Sequence, residues 1–155
     1  MVRDPDIYLG AKLKKTTLQN GIITWGVSPS KYVQEAVKNC EAYLETNYLG
    51  KWTLPKNAPN PFVMNYAPEM DVSPALDATD ASYFQSLIGI LRWTVEIGRI
   101  DIATKISMLS SHLAYPREGH LEAALHVMGY MKHKHNSRLV FDPTYPFVDL
   151  NTFET

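Results

Sequence analysis

The sequence has a single cysteine, Cys40, among its 155 residues. One cysteine cannot form a disulfide within the chain, and it supplies too few thiolates for a cysteine-based zinc cluster. The sequence also lacks a run of about 18 apolar residues, which a membrane-spanning helix needs, and it lacks a signal-peptide pattern at its start. These absences predict an intracellular protein, in the cytoplasm or the nucleus, with no membrane partner.

The sequence also lacks the common motifs that bind nucleotides or metals or that carry a nucleophile. The patterns GxGxxG, GxxxxGK[ST], GxSxG and HExxH do not occur. The chain also has no Tyr-x-Asp-Asp or similar carboxylate pair, with which a polymerase holds two metal ions. His120 and His126 fall on roughly opposite sides of a helix, which makes them a poor metal site. We therefore predict no catalytic residue, metal site or cofactor within this chain.

Charge is nearly balanced but unevenly distributed. Fifteen Lys and Arg oppose sixteen Asp and Glu, for a formal net charge of −1, which argues against a strongly basic nucleic-acid-binding domain. Residues 1–56 carry eight basic and five acidic side chains, 57–82 carry none and four, and 83–138 carry seven and four. The pattern indicates two mildly basic parts separated by an acidic linker.

The first third of the chain predicts a β-hairpin followed by a helix. Residues 7–27 contain two apolar stretches on either side of Asn20-Gly21, a pair that suits the positive φ angles of a tight turn. Ser28 is predicted as the helix N-cap and Pro29 as the first helical residue. The apolar face of this helix is predicted at Val33, Ala36, Val37, Cys40 and Leu44.

A stretch rich in proline follows, from about residue 45 to residue 82. Its prolines are Pro55, Pro59, Pro61, Pro68 and Pro74. Proline at this density excludes a long helix or a central strand. We predict an extended linker on the protein surface, with Trp52, Phe62 and Tyr66 as candidate anchors.

Three short-linked helices are predicted in the second half. The first begins near Asp80 or Ser82 and is interrupted at Gly98. The second carries Ile102, Ile106, Leu109 and Leu113 on one face. The third starts at Pro116, has the apolar residues Leu121, Leu125, Met128 and Met131, and has residues 132–134 in its last turn. One short strand follows in residues 138–143.

The predicted fold class is therefore α+β and mainly helical. It combines an N-terminal β-hairpin and helix, a proline-rich linker, and a three-helix lobe with one short strand. The corresponding domain boundaries are 1–50, 51–80, 81–143 and a tail at 144–155.

The N-terminal motifs resemble the end of the reverse transcriptase in the Pol polyprotein of Ty1/copia-type retrotransposons. The matching features are Tyr8-Leu9-Gly10, the hairpin that follows, and the helix carrying Ser28, Lys31 and Tyr32. In that family an aromatic-Leu-Gly strand follows the polymerase active site and forms the primer-grip hairpin. A Ser-x-x-Lys-Tyr helix then begins the thumb.

The second half resembles the segment that connects polymerase to RNase H in the same family. The matching residues are Tyr83, Leu87, Ile88, Gly89 and Leu91; Arg99, Asp101, Ile102 and Ala103; Leu109 and Ser110; Pro116 and His120; and Tyr130, Met131 and Lys132. The chain departs from the family at Ile100, where proline is usual, and at Leu125 and His126, where basic residues are usual.

The resemblance implies a segment between two active sites that positions template-primer and is catalytically incomplete on its own. Its implied partners are an RNA/DNA template-primer and the missing palm and RNase H domains, and Mg²⁺ is implied for the full-length polymerase. The candidate nucleic-acid-binding residues are Tyr8, Leu9, Gly10, Lys12, Lys14, Lys15, Trp25, Lys31 and Lys38.

Lys12, Lys14 and Lys15, with Trp25 on the facing strand, are the strongest of these candidates from the residues alone. Ammonium groups attract phosphates, and an indole can stack on a base or sugar. Lysines on an edge strand also discourage aggregation, which is the alternative explanation. For the whole chain, the alternatives are a non-enzymatic protein-interaction module and a decayed retroelement remnant.

Overall fold

The computed structural model describes residues 6–144 and confirms an α+β, mainly helical fold. The strands are β1 (Ile7–Tyr8), β2 (Ala11–Thr17), β3 (Ile23–Ser28) and β4 (Leu139–Val140), and the helices are α1 (Ser30–Tyr48), α2 (Ala78–Glu96), α3 (Ala103–Ser110) and α4 (Glu118–His133). Two 3₁₀ turns occur at Pro68–Met70 and Ile100–Ile102. The predicted tail lies outside the described residues from position 145 onward. No helix within residues 6–144 is long and apolar enough to cross a membrane.

The first strand reverses direction much earlier than the sequence predicted. Tyr8 pairs with Ala11, and the two residues between them have positive φ angles, 50° at Leu9 and 88° at Gly10. Two consecutive positive φ angles make a tight hairpin turn. The prediction of one strand running through Tyr8-Leu9-Gly10 was therefore wrong, because Leu9-Gly10 is a turn between β1 and β2.

The predicted hairpin at Asn20-Gly21 is confirmed, but its turn is wider than a two-residue turn. Leu18 N–H donates to the Ile22 carbonyl at 2.8 Å, and Gly21 N–H donates to the Leu18 carbonyl at 2.9 Å. Gly21 has a φ of 81°, whereas Asn20 is not among the described residues with positive φ. This is the three-residue loop in which a final glycine adopts the left-handed conformation.

Strand β4 completes the N-terminal sheet. The four strands are antiparallel in the order β1-β2-β3-β4, and Gly26 and Val27 of β3 pair with Val140 and Leu139 of β4. The sequence had assigned this strand to the three-helix lobe. That assignment was wrong, because the chain returns after α4 to the free edge of β3.

Helix α1 begins later than the Ser28-Pro29 pattern predicted. Ser28 pairs with Lys12 in the sheet, so it cannot cap the helix. Pro29 occupies the N-cap position, and its carbonyl accepts a hydrogen bond from Val33 N–H at 3.0 Å. The predicted capping arrangement was therefore wrong by one residue, because the strand continues through Ser28.

Residues 49–77 form no α-helix and cross the helices as an irregular segment. Trp52 is buried and belongs to the hydrophobic core, Tyr66 packs against that core, and Phe62 stays 44% exposed. The segment lies close to α4 at Gly129, where an added Cβ would be 2.6 Å from Pro55 Cγ. Anchoring by Trp52 and Tyr66 is thus confirmed.

The later helices begin and end at recognisable signals. Asp77 caps α2 by accepting a hydrogen bond from Asp80 N–H at 2.8 Å, and Gly98, with a φ of 124°, follows its end. Helix α3 stops at Ser110, so the prediction that it reached Leu113 was wrong. Ser110 Oγ donates to the Ile106 carbonyl at 2.7 Å, a side-chain bond that competes with helix continuation.

A single hydrophobic core joins α1 to the helices of the second half. Its buried members are Val33, Val37, Cys40, Leu44, Trp52, Phe84, Leu87, Ile88, Leu91, Ile102, Ile106, Leu109, Leu121, Ala123, Ala124, Leu125, Val127, Met128 and Met131. The apolar stripes that the sequence predicted therefore meet in one interior. The division into domains stays a prediction.

Candidate nucleic-acid interface

The start of α1 and the β1–β2 turn enclose a groove of about 470 Å³. Its walls are formed by Asp6, Ile7, Gly10, Lys12, Ser28, Ser30, Lys31 and Gln34. The turn at Gly10 brings β2 back alongside β1, and α1 begins two residues after β3 ends. Three predicted site residues, Gly10, Lys12 and Lys31, are thereby brought together although they come from different elements.

The strand register divides the other predicted lysines between two faces of the sheet. Neighbouring side chains on a strand point to opposite faces, so Lys12 and Lys14 share one face and Lys15 lies on the other. Lys15 pairs with Trp25, and its Nζ lies 5.2 Å from the centre of the Trp25 ring. The predicted single surface of three lysines and Trp25 was therefore wrong.

Arg138 adds a cation to the face that carries Lys12 and Lys14. Its side chain crosses Gly26, where an added Cβ would lie 2.7 Å from Arg138 Cδ, and its Nη1 donates to Thr16 Oγ1 at 3.2 Å. The sequence prediction missed Arg138 because its place beside β2 depends on the pairing of β4 with β3.

Lys38 lies beside a second, smaller cavity of about 210 Å³. Gln34, Val37, Lys38, Glu41, Lys132 and His135 line it. Lys132 Nζ lies 2.6 Å from Glu41 Oε1, so the charges of these two side chains neutralise each other. Lys38 therefore faces a different cavity from the one that holds Lys12 and Lys31.

Tyr8 and Leu9 lie at the tip of the first hairpin. They are 64% and 57% exposed, and the neighbouring Ile7 is 66% exposed. Large apolar side chains at such exposure form an apolar patch, whose usual meaning is contact with another molecule or domain. Two of the predicted binding residues thus offer apolar surface and no charge.

Residues in the second half that carry the retroelement resemblance have structural roles. Arg99 is 1% exposed and donates to Asp101 from Nε at 2.9 Å and from Nη2 at 2.7 Å. Tyr130 of α4 donates to the same carboxylate at 2.7 Å. Burial alone would raise the pKa of Asp101, but the hydrogen bonds from Arg99 and Tyr130 hold it below its ordinary value. These contacts tie the start of α3 to α4.

His120 is likewise used within the fold. Its Nδ1 accepts a hydrogen bond from Arg117 N–H at 3.0 Å, so Nε2 carries the proton and donates to the Pro68 carbonyl at 2.9 Å. His126 contacts the Asn60 carbonyl separately, at 3.0 Å. Across residues 6–144, no three His, Cys, Asp or Glu side chains are grouped to hold a metal ion.

The structure thus defines a small α+β protein whose cations line grooves along α1. The chain is 28% identical over 131 residues to YCL074W of Saccharomyces cerevisiae, which is named provisionally as a transposon Ty5-1 protein. The match covers 81% of this chain and 36% of that protein, so the chain spans about a third of the length of the curated relative it matches. No protein-family model and no solved structure matches the chain. The similarity supports a retroelement-related origin.

Proposed function

We propose that this chain is the part of a Ty1/copia-type reverse transcriptase that comprises the primer grip, the thumb and the connection to RNase H. In this role it positions an RNA/DNA template-primer and carries out no chemistry itself. The polymerase carboxylates and their Mg²⁺ ions would belong to a preceding part of a longer protein, and the RNase H carboxylates to a following part.

The observation that carries this proposal is the groove shared by Gly10, Lys12 and Lys31. Two ammonium groups face a cavity that is walled on one side by a tight turn and on the other by the first turn of α1. Phosphate contacts of this kind fix the register and orientation of a nucleic acid without reading its sequence. Such positioning is what a polymerase needs at the primer end.

The similarity to a transposon Ty5-1 protein also supports the proposal. The motif order along the chain agrees with a reverse-transcriptase segment. Part of that order has a structural explanation, because the buried Arg99 is hydrogen-bonded to Asp101 and Asp101 to Tyr130. Because catalytic carboxylate motifs are absent from the sequence, the function that remains for such a segment is binding.

The test is the salt dependence of binding to a short cyanine-labelled RNA–DNA hybrid, measured by fluorescence anisotropy. Each phosphate contact contributes about 0.9 to the slope of log affinity against log salt. The double variant Lys12→Ala/Lys31→Ala should therefore reduce the magnitude of the slope by about 2. Lys51→Ala/Lys56→Ala removes the same charge outside the groove and should leave the slope unchanged.

An equal effect of both double variants would contradict a specific groove and indicate attraction by overall charge. Absence of hybrid binding at low salt would reject the proposed function. It would favour the second candidate, a protein-interaction module, which the exposed apolar residues Ile7, Tyr8 and Leu9 support.

A further inference from the structure

Two cavities on the exposed side of α1 meet at one residue. The groove at the start of α1 and the smaller cavity beside its middle both include Gln34 in their walls. Lys31 lines the first and Lys38 the second. Since a helix rises about 1.5 Å per residue, these two lysines are separated by about 10 Å along the axis. The two cavities therefore adjoin at Gln34 and follow α1 past both lysines, and together they are called the channel below.

His135, which follows α4, lies where the two cavities adjoin. Its Nδ1 lies 2.8 Å from Ser30 Oγ and 3.1 Å from Gln34 Nε2. Because an amide nitrogen only donates, Nδ1 is the acceptor and the ring proton is on Nε2. A second proton on Nδ1 would end the contact with Gln34 Nε2, whereas Ser30 Oγ could accept a hydrogen bond from it. It would also place a positive charge at the junction.

The charges around the channel favour an anionic occupant. The charged residues that line it are Asp6, Lys12, Lys31, Lys38, Glu41 and Lys132. The ion pair between Lys132 and Glu41 cancels one charge of each sign. The remaining groups are three lysines and Asp6, so the channel is cationic even before His135 is protonated.

We infer that one strand of nucleic-acid backbone occupies both cavities, and that protonated His135 contacts it at the junction. The inference rests on the proposed function and adds regulation to it, because binding then tightens as the pH falls. Histidine is the side chain that changes charge between about pH 5 and pH 8. Release of Gln34 also frees its amide N–H groups to donate to the nucleic-acid backbone.

The test compares hybrid binding at about pH 8 and about pH 6, the range in which an imidazole titrates, at constant ionic strength. Circular dichroism at both values checks that each variant is folded. Wild-type affinity should rise about two- to fivefold on acidification, the range of an exposed charge pair. His135→Gln should abolish this rise. The matched control, His133→Gln, should still show the rise.

An equal rise in His135→Gln and the wild type would overturn the inference, while the salt slopes of the groove variants would leave the proposed function standing. A rise that disappears in His133→Gln instead would overturn it as well. If no variant and no pH gives hybrid binding, the proposed function fails and the inference fails with it.

Discussion

Pro55 lies directly against Gly129, so α4 has no space for a side chain at that position. A Cβ on Gly129 would be 2.6 Å from Pro55 Cγ and 3.2 Å from the Pro55 carbonyl oxygen. Gly129→Ala should therefore lower the free energy of unfolding by about 1–3 kcal/mol, the usual cost of overpacking. Urea unfolding followed by circular dichroism measures it.

Gly89 provides the matched control, because it is also helical and an added Cβ there meets no atom within 4 Å. Gly89→Ala should raise stability by up to about 1 kcal/mol, since alanine favours a helix more than glycine does. If the two alanine variants shift stability in the same direction, the close approach of Pro55 does not constrain α4.

Asp101→Asn should be strongly destabilising, because it leaves the buried Arg99 guanidinium without a counter-charge. The Arg99 side chain is 1% exposed but that of Asp101 is 33% exposed, so we expect a cost of about 3 kcal/mol, the lower end for loss of one partner of a buried ion pair. Tyr130→Phe removes only one hydrogen bond to the same carboxylate and should cost about 1 kcal/mol. Chemical denaturation of both variants tests the ranking, and a Tyr130→Phe cost equal to that of Asp101→Asn would contradict it.

Lys105→Met should stabilise the protein near neutral pH. Lys105 is 1% exposed and its Nζ has no hydrogen-bond partner, although it lies 5.0 Å from the centre of the Tyr66 ring. Replacement of a buried charge by an apolar side chain is neutral or favourable, and we expect a gain of about 1 kcal/mol. Lys56→Met, at an exposed position, should change stability by less than about 0.5 kcal/mol.

The gain from Lys105→Met should shrink as the pH rises toward the ordinary lysine pKa of about 10.4. Burial lowers the pKa of Lys105, and Glu69 opposes this only in part. The unfolded chain therefore binds the proton more strongly, so wild-type stability increases with pH until the ordinary lysine pKa is reached. A gain that stays constant with pH would show that Lys105 remains protonated in the folded protein.

Acid should weaken the fold through His112. Burial lowers its pKa, and the adjacent His120 adds to the effect; the two rings stack with centres 4.2 Å apart. The contribution of neutral His112 to the free energy of unfolding is therefore complete above about pH 6.5. It is lost as the pH falls toward the lowered pKa. His112→Phe keeps an aromatic ring and should reduce this pH dependence in urea titrations. His133→Gln should leave it unchanged.

The helices were largely predictable because their apolar residues recur at helical spacing. The positions Val33, Val37 and Leu44 in α1 are all buried as predicted. The errors occurred where tertiary contacts override local signals. Ser28 would suit a helix cap, but its pairing with Lys12 extends the strand. Leu9 adopts a positive φ. The only local signal for a turn at this point is the neighbouring glycine, Gly10.

The candidate site was predictable only in part. Lys12 and Lys31 stand out in the sequence as exposed cations next to the hairpin and the helix start. The face to which Lys15 points depends on register, which a single-residue shift reverses. His135 reaches Ser30 across 105 positions of sequence, and no local pattern encodes a contact at that separation.

The pairing of β3 with β4 has a consequence for the timing of folding. Gly26 pairs with Val140, so the contact closes a loop that contains nearly all of the helical core. Long loops carry a large closure entropy and slow the formation of non-local strand pairs. During synthesis the sheet stays incomplete until β4 has left the ribosome. A nascent chain therefore acquires its finished N-terminal sheet only after its last helix has been made.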